Sequence, residues 1–472
     1  MGRRGPPLGT RASQAHLTRM PDALPPPRPR IPPRPPLPTR LRSQAESFLV
    51  LRRNPLELWG APAYEIDIAE GKFLGRPQLL LNAPDAIRAV LLTNAENYIR
   101  PDSTRRVLAP ILGEGLFLAE GEAWRHQRRT IAPALAPRAM PILTGHVTAA
   151  ATAAEARLAR LQHRPLDLLP HLQTLALQIA GQSMFSLEMA GFGAELRALI
   201  TQYGVHYAQP GLLDLLLPQA EATPLNRGRA RFRAQWLDFL DRLIATRATQ
   251  PAAPDRPRDL YDLLAGATDP DTGAGMSHAQ LRDEISTLIL AGHETTAVTL
   301  FWCLYLAALY PEAQDAIAAE AAGVTLDSAG ALPATRAHVD EALRLYPPAF
   351  LIIRQALSAD EVAGRAVAPG TMMVISPWVL HRHRKLWAAP DMFDPGRFMP
   401  GAPAVDRFAY LPFGAGPRIC VGASFALTEA VLVLARLLRR FRVRLCGDGA
   451  VLPRGLVTTQ PDRVVRFTLQ ER

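Results

Sequence analysis

The longest apolar stretch of the chain, ISTLILAGHETTAVTLFWCLYLAALY from Ile285 to Tyr310, carries a carboxylic acid near its centre. The run is long enough to cross a bilayer. Glu294, set among Gly292, His293, Thr295 and Thr296, makes a lipid setting expensive. The stretch therefore reads as a helix threaded through the core of a large soluble protein. Such a helix needs many apolar partners, and 472 residues at 48% hydrophobic composition supply them. A buried acid must be paired or solvated, and the Thr295 hydroxyl can turn back to the carbonyl of Ala291, so a local bulge with a water is expected here. Both a snorkelling acid beside harmless threonines and a chemical site fit the segment taken alone.

The formal charge of +10 does not mark a nucleic-acid binder, because residues 1–45 hold nine arginines against one aspartate. The folded remainder is close to neutral. Residues 1–45 read as a Pro/Arg-rich flexible lead-in of polyproline character, and residues 1–19 as a possible misassigned start ahead of Met20. An SH3-type ligand is the lesser reading of that segment. No apolar run there suits a signal peptide or a transmembrane anchor, which makes the cytoplasm the expected compartment. Past Ser47 no linker or repeat appears, so residues 46–472 read as one large domain. Segments such as AWRHQRRTIAPAL and RARFRAQWLDFLDRLIATRA have helical spacing, RFRVRL and DRVVRFTL read as short strands, and VAGRAVAPGTMMVI as a hairpin bending at Pro369 and Gly370.

Three cysteines, Cys303, Cys420 and Cys446, are too few and scattered for a disulfide framework or a zinc cage. Cys303 and Cys446 read as small hydrophobes. Cys420 stands apart, in FGAGPRICVG. Gly414, Gly416 and Gly422 let the backbone come close to a flat ligand and aim amides at the sulfur, and a thiolate is the usable metal ligand. Arg418 is placed to pair with a carboxylate of that ligand, and Phe413 to screen the sulfur.

Phe413, Gly416, Arg418, Cys420 and Gly422 together match the F-x-x-G-x-R-x-C-x-G loop of the cytochrome P-450 superfamily, which this chain resembles. The resemblance implies a mainly α fold with small β-sheets and one large domain. It implies haem b between the long central helix and the cysteine loop, with Cys420 on the iron, favouring O–O cleavage. Other motifs follow in the family's order. AGHETT resembles the oxygen-activation segment, with Ala291 and Gly292 over the haem and Glu294 and Thr295 delivering protons through water. EALR and the later FDPGRF resemble the motifs whose Glu341, Arg344 and Arg397 form a structural triad. AWRHQR resembles W-x-x-x-R, so Trp124 and Arg128 are expected on a haem propionate, as is Arg354. Glycine at position 396 and His383 depart from the usual pattern at places remote from the iron.

The implied activity is insertion of one oxygen atom from O2 into a hydrophobic small molecule. Leu116, Phe117, Phe350, Leu351 and Leu456 are expected to wall the substrate pocket. About fifty residues follow Cys420, too few for a flavin domain, so electrons are expected from a separate ferredoxin or flavodoxin with its reductase. Arg125, Arg129, Arg436, Arg439 and Arg440 are the candidate docking cations. A monomer without nucleic acid is expected. The alternative is a non-catalytic haem-thiolate protein, a gas sensor or electron carrier, which would need neither Glu294 nor Thr295.

Overall fold

The computed structural model describes residues 1–2, 31–40, 42–186, 191–249, 257–269, 271–326, 328–447 and 449–472. Residues 3–30, and with them the possible misassigned start, lie outside these. The central helix starts at a capping box: the Ser277 hydroxyl accepts from the Gln280 N–H and the Gln280 side chain accepts from the Ser277 N–H. It runs from His278 to Leu309. Every residue from Thr296 to Ala308 is buried, as an all-round apolar helix requires. It is the one described helix apolar and long enough to span a membrane, and it is instead the core. The expected bulge does not form. Thr295 donates to the Ala291 carbonyl at 2.5 Å within an unbroken α-helix.

Among the elements packed on this axis are the helices Leu168–Phe185, Pro333–Leu345 and Ala423–Arg440, and the strand Phe441–Leu445. Cys303 is fully buried on it, as a small hydrophobe. A five-stranded sheet runs in the order Ile68–Phe73, Arg76–Leu81, Met372–Ile375, Ile352–Ala356, Tyr98–Ile99. RFRVRL and DRVVRFTL do pair, with Phe467 opposite Leu445 in a three-stranded sheet.

Two further expectations change. The hairpin in VAGRAVAPGTMMVI turns at Ala363 and Gly364, both at positive φ, between Asp360–Val362 and Arg365–Val367. Pro369 and Gly370 instead redirect the chain into Met372–Ile375, which pairs parallel with Arg76–Leu81. Residues 31–40 of the lead-in, too, lie packed on the fold. Pro32 and Pro35 are buried, Leu37 lies on the core, Arg34 pairs with Asp391 at 3.2 Å, and the Pro33 carbonyl accepts from the Tyr346 hydroxyl at 2.9 Å. Proline has no N–H to leave unpaired, so such a strap can lie on an apolar surface at little cost.

Candidate active site

The cysteine loop is shaped by its glycines. Gly414 and Gly416 have φ of 73° and 72°, and a Cβ on Gly416 would lie 1.8 Å from the Leu91 carbonyl oxygen. Only glycine permits both the conformation and the approach. The Cys420 N–H donates to the Phe413 carbonyl at 2.9 Å, closing the loop across the half-buried Phe413. Cys420 is exposed in the protein alone. Even so, the atoms crowded around its sulfur push the thiol up, opposed by the Gly422 N–H and the Arg128 guanidinium.

Beside the loop stands a cluster of guanidinium groups. Arg418 ion-pairs with Glu120, donates to the Ala119 carbonyl at 2.9 Å and lies 4.5 Å over the Trp124 ring. Arg128 donates to the Ile419 carbonyl at 2.9 Å, so the helix Gly121–Ile131 is tied to the loop one residue before the cysteine. Arg100, unsuspected from sequence, pairs with Glu120 at 3.2 Å. Burial and the neighbouring Arg354 and Arg418 lower its pKa to about 9. Arg354, half-buried, desolvated and repelled by Arg418, falls to about 10. Three guanidiniums face one carboxylate, an excess of positive charge that favours anionic groups.

On the central helix, Ala291 is exposed and a Cβ on Gly292 would meet no protein atom within 4 Å. Glu294 does not snorkel. Its carboxyl accepts from the Gln460 amide, and burial raises its pKa, opposed by Gln460 and Thr458. Gln460 belongs to the strand Thr459–Pro461, paired with Pro453–Gly455, and that hairpin is anchored where Trp302 donates to the Thr459 carbonyl at 2.7 Å.

Glu341 and Arg344 form a fork of two 2.7 Å bonds, both side chains fully buried. The Arg397 Nε stands 3.6 Å from Glu341. Such an i,i+3 pair is usually a solvated helix face; here Arg344 also donates to the carbonyls of His381, Pro390 and Met392 at 2.8, 2.6 and 2.8 Å. Neutral His381 passes the brace on: its Nδ1 donates to the Arg344 carbonyl at 3.2 Å and its Nε2 accepts from the Leu411 N–H at 2.8 Å, just ahead of the cysteine loop. Of the expected pocket residues, Phe117 is exposed beneath Arg100, 4.6 Å from its ring, and Leu351 and Leu456 are half-buried. Leu116 and Phe350 are core residues, Phe350 lying against Gly455.

A family model described as Cytochrome P450 matches residues 67–462. The chain belongs to the cytochrome P450 family. Cyclooctatin synthase of Streptomyces melanosporofaciens is 33% identical over 86% of this chain and 89% of its own length. Cyclooctat-9-en-7-ol 5-monooxygenase of the same organism is 31% identical over 84% and 86%. The crystal structure of the cytochrome P450DA heme domain, 24% identical, superposes with a TM-score of 0.76 over 86% of this chain and 90% of that one, which shows the same fold. This P450 is accordingly a haem monooxygenase that uses O2, a redox partner and an organic substrate. The residues present suit a haem: a reachable thiol in a glycine loop and, beside it, a surplus of guanidinium charge for the macrocycle's carboxylates.

Two further acids of this P450 escape sequence reasoning, since each is recognised only by a partner far along the chain. Glu284 is held by the Leu116 N–H. Glu429, on the helix after Cys420, has the Thr296 hydroxyl at 3.3 Å. Burial raises each pKa from 4.5 to about 8. The folded chain thus holds these protons more tightly than the unfolded one. Their contribution to stability is complete below pH ~4.5 and is lost as pH rises through ~8. The melting temperature should fall between pH 6 and 9. Glu429→Gln should remove roughly half of that fall, Glu284 titrating in the same window; an unchanged slope in scanning calorimetry contradicts it.

Proposed function

We propose that the site binds haem b through the Cys420 thiolate and oxygenates a hydrophobic carbocycle. The observation that carries the reading is the placement of a reachable Cys420 in a glycine-shaped loop whose flank, from Trp124 and Arg128 to Arg418, is rigidly hydrogen-bonded to the rest of the fold. Arg100, Arg354 and Arg418 would take the propionates, with Trp124 and Arg128 holding the loop beside them. Glu341, Arg344 and Arg397 brace the approach to Phe413 and Gly422. The haem iron, when bound, supplies oxygen activation; the protein supplies position, protons and dryness.

Protons are the task of the central helix. Ala291 and Gly292 keep its surface flat toward the cofactor. Glu294, whose pKa burial raises, can give up a proton through water, and the Gln460 amide holds one of its oxygens. The Thr295 hydroxyl donates to the Ala291 carbonyl, which leaves its oxygen able to accept from a water. Thr295→Ala should retain haem and substrate affinity while diverting a large share of the consumed reductant into hydrogen peroxide. Equal coupling in the variant, measured as product formed per NADPH oxidised with a surrogate redox system, refutes this role.

The two Streptomyces relatives are named for cyclooctatin and for cyclooctat-9-en-7-ol, and the half-buried Leu351 and Leu456 offer an apolar wall. The relatives' names favour an unsaturated carbocyclic alcohol as substrate, and the apolar wall favours a largely hydrophobic one. A separate ferredoxin or flavodoxin, a monomeric state and a cytoplasmic location complete the reading. The docking cations are fewer than counted from sequence. Arg125 pairs with Glu96 and Glu122, Arg129 with Asp269 and Asp271, and Arg436 and Arg440 with Glu155. Steering by this face is correspondingly weak, so electron transfer should depend only mildly on salt.

A further inference from the structure

The loop between the helices Asp102–Leu112 and Gly121–Ile131 lies flush on the first half of the central helix. Consecutive acids of that helix grip consecutive turns of the loop. The Glu114 N–H donates to Asp283 at 2.8 Å, and the Leu116 N–H donates to both oxygens of Glu284 at 2.9 and 3.0 Å. Glu284 is 1% exposed, and no side chain donates to it among the described residues. The glycines of the loop record how close the approach is. A Cβ on Gly113, which has φ of 61°, would fall 2.1 Å from the Asp283 carboxyl carbon. One on Gly115 would fall 2.4 Å from the Thr287 hydroxyl and 2.7 Å from the Asp283 carbonyl oxygen. Just before the loop, Trp236 donates to the Ile111 carbonyl at 2.9 Å and to the Ser286 hydroxyl at 2.7 Å.

This grip ends one residue before Phe117, whose ring emerges beneath Arg100 at the edge of the guanidinium cluster. We propose that Asp283 and Glu284 are positioning residues that fix where the Phe117 ring stands, and thereby the shape of the space in which a substrate meets the haem. Phe117 has no helix or strand of its own to hold it: it lies between the loop pins and the helix Gly121–Ile131. Losing an acceptor that satisfies a buried N–H leaves that donor unpaired, which is costly enough to shift the loop rather than leave it in place. An exposed aromatic ring carried on such a loop then moves with it. The proposal rests on the haem reading of the site.

The test uses the full-length holoprotein and two readouts. Backbone hydrogen exchange across residues 113–118 should speed up about tenfold or more in Glu284→Leu and stay near wild type in Glu284→Gln, which keeps an acceptor. Spectral titration with imidazole and with 4-phenylimidazole then reads the wall. Imidazole affinity should change less than about twofold in either variant, while 4-phenylimidazole affinity should change by about tenfold in Glu284→Leu and recover in Glu284→Gln. Gly115→Ala, which displaces the loop by contact instead of by loss of a bond, should shift the same ratio. Unchanged loop exchange in Glu284→Leu overturns the pin, and faster exchange with an unchanged affinity ratio overturns its influence on the pocket. A protein whose spectrum ignores both imidazoles would instead refute the haem reading, leaving the exchange result to judge the pin.

Discussion

Cys420→Ser is expected to fold, to lose the strongly red-shifted ferrous carbon-monoxide band, and to drop to background oxygenase activity. The fold should survive because the loop is closed by backbone groups: the Cys420 N–H on the Phe413 carbonyl, the Gly416 turn against Leu91, and the Arg128 bond to the Ile419 carbonyl. None of these uses the sulfur. Serine keeps the size and cannot supply an anionic soft donor at neutral pH, so the electron push that thiolate ligation provides disappears. Circular dichroism should match the wild type within error while the carbon-monoxide difference spectrum does not. A Cys420→Ser protein that retains the red-shifted band would remove the sulfur from the iron altogether.

Arg344→Ala is expected to have the largest effect on folding. Its guanidinium spends all its donors inside the protein, on Glu341 and on the carbonyls of His381, Pro390 and Met392. Removing it leaves a buried carboxylate without its principal counter-charge and three carbonyls without donors. Breaking one side of a buried pair costs about 3–5 kcal/mol, a large part of the stability of an ordinary domain. Arg344→Lys should fare little better, since an ammonium is a point donor and cannot reproduce a planar fork. Arg397→Lys, whose contact with Glu341 is 3.6 Å, should be mild by comparison. Soluble, haem-loaded Arg344→Ala with a wild-type melting temperature would show that the brace carries no weight.

The central helix and the cysteine loop are legible in the sequence because their signals are local. An apolar run with an acid inside it, or three glycines and an arginine around a cysteine, lie within a few residues of one another, and the structure keeps them together. The partners of those groups are a different matter. Gln460 meets Glu294 across 166 positions, and Glu120 meets Arg418 across 298. Nothing periodic records such a meeting. Arg100 reads as an ordinary residue before a proline until Glu120 and Arg354 stand beside it. The misread hairpin has a plainer cause: Pro369-Gly370 and Ala363-Gly364 are both good turns, and which one closes a hairpin is decided by the strand waiting beyond, here Arg76–Leu81. Composition does not foretell the packed prolines, because it reports stiffness and says nothing of the surface a stiff segment rests on.

The cysteine loop is clasped by Leu91, Ala119 and Arg128, residues synthesised long before it, with 299 and 291 positions separating the bonded residues. During synthesis the early surfaces must wait, open, for a mate not yet made. Nascent chains stalled before position 420 should therefore retain no pigment.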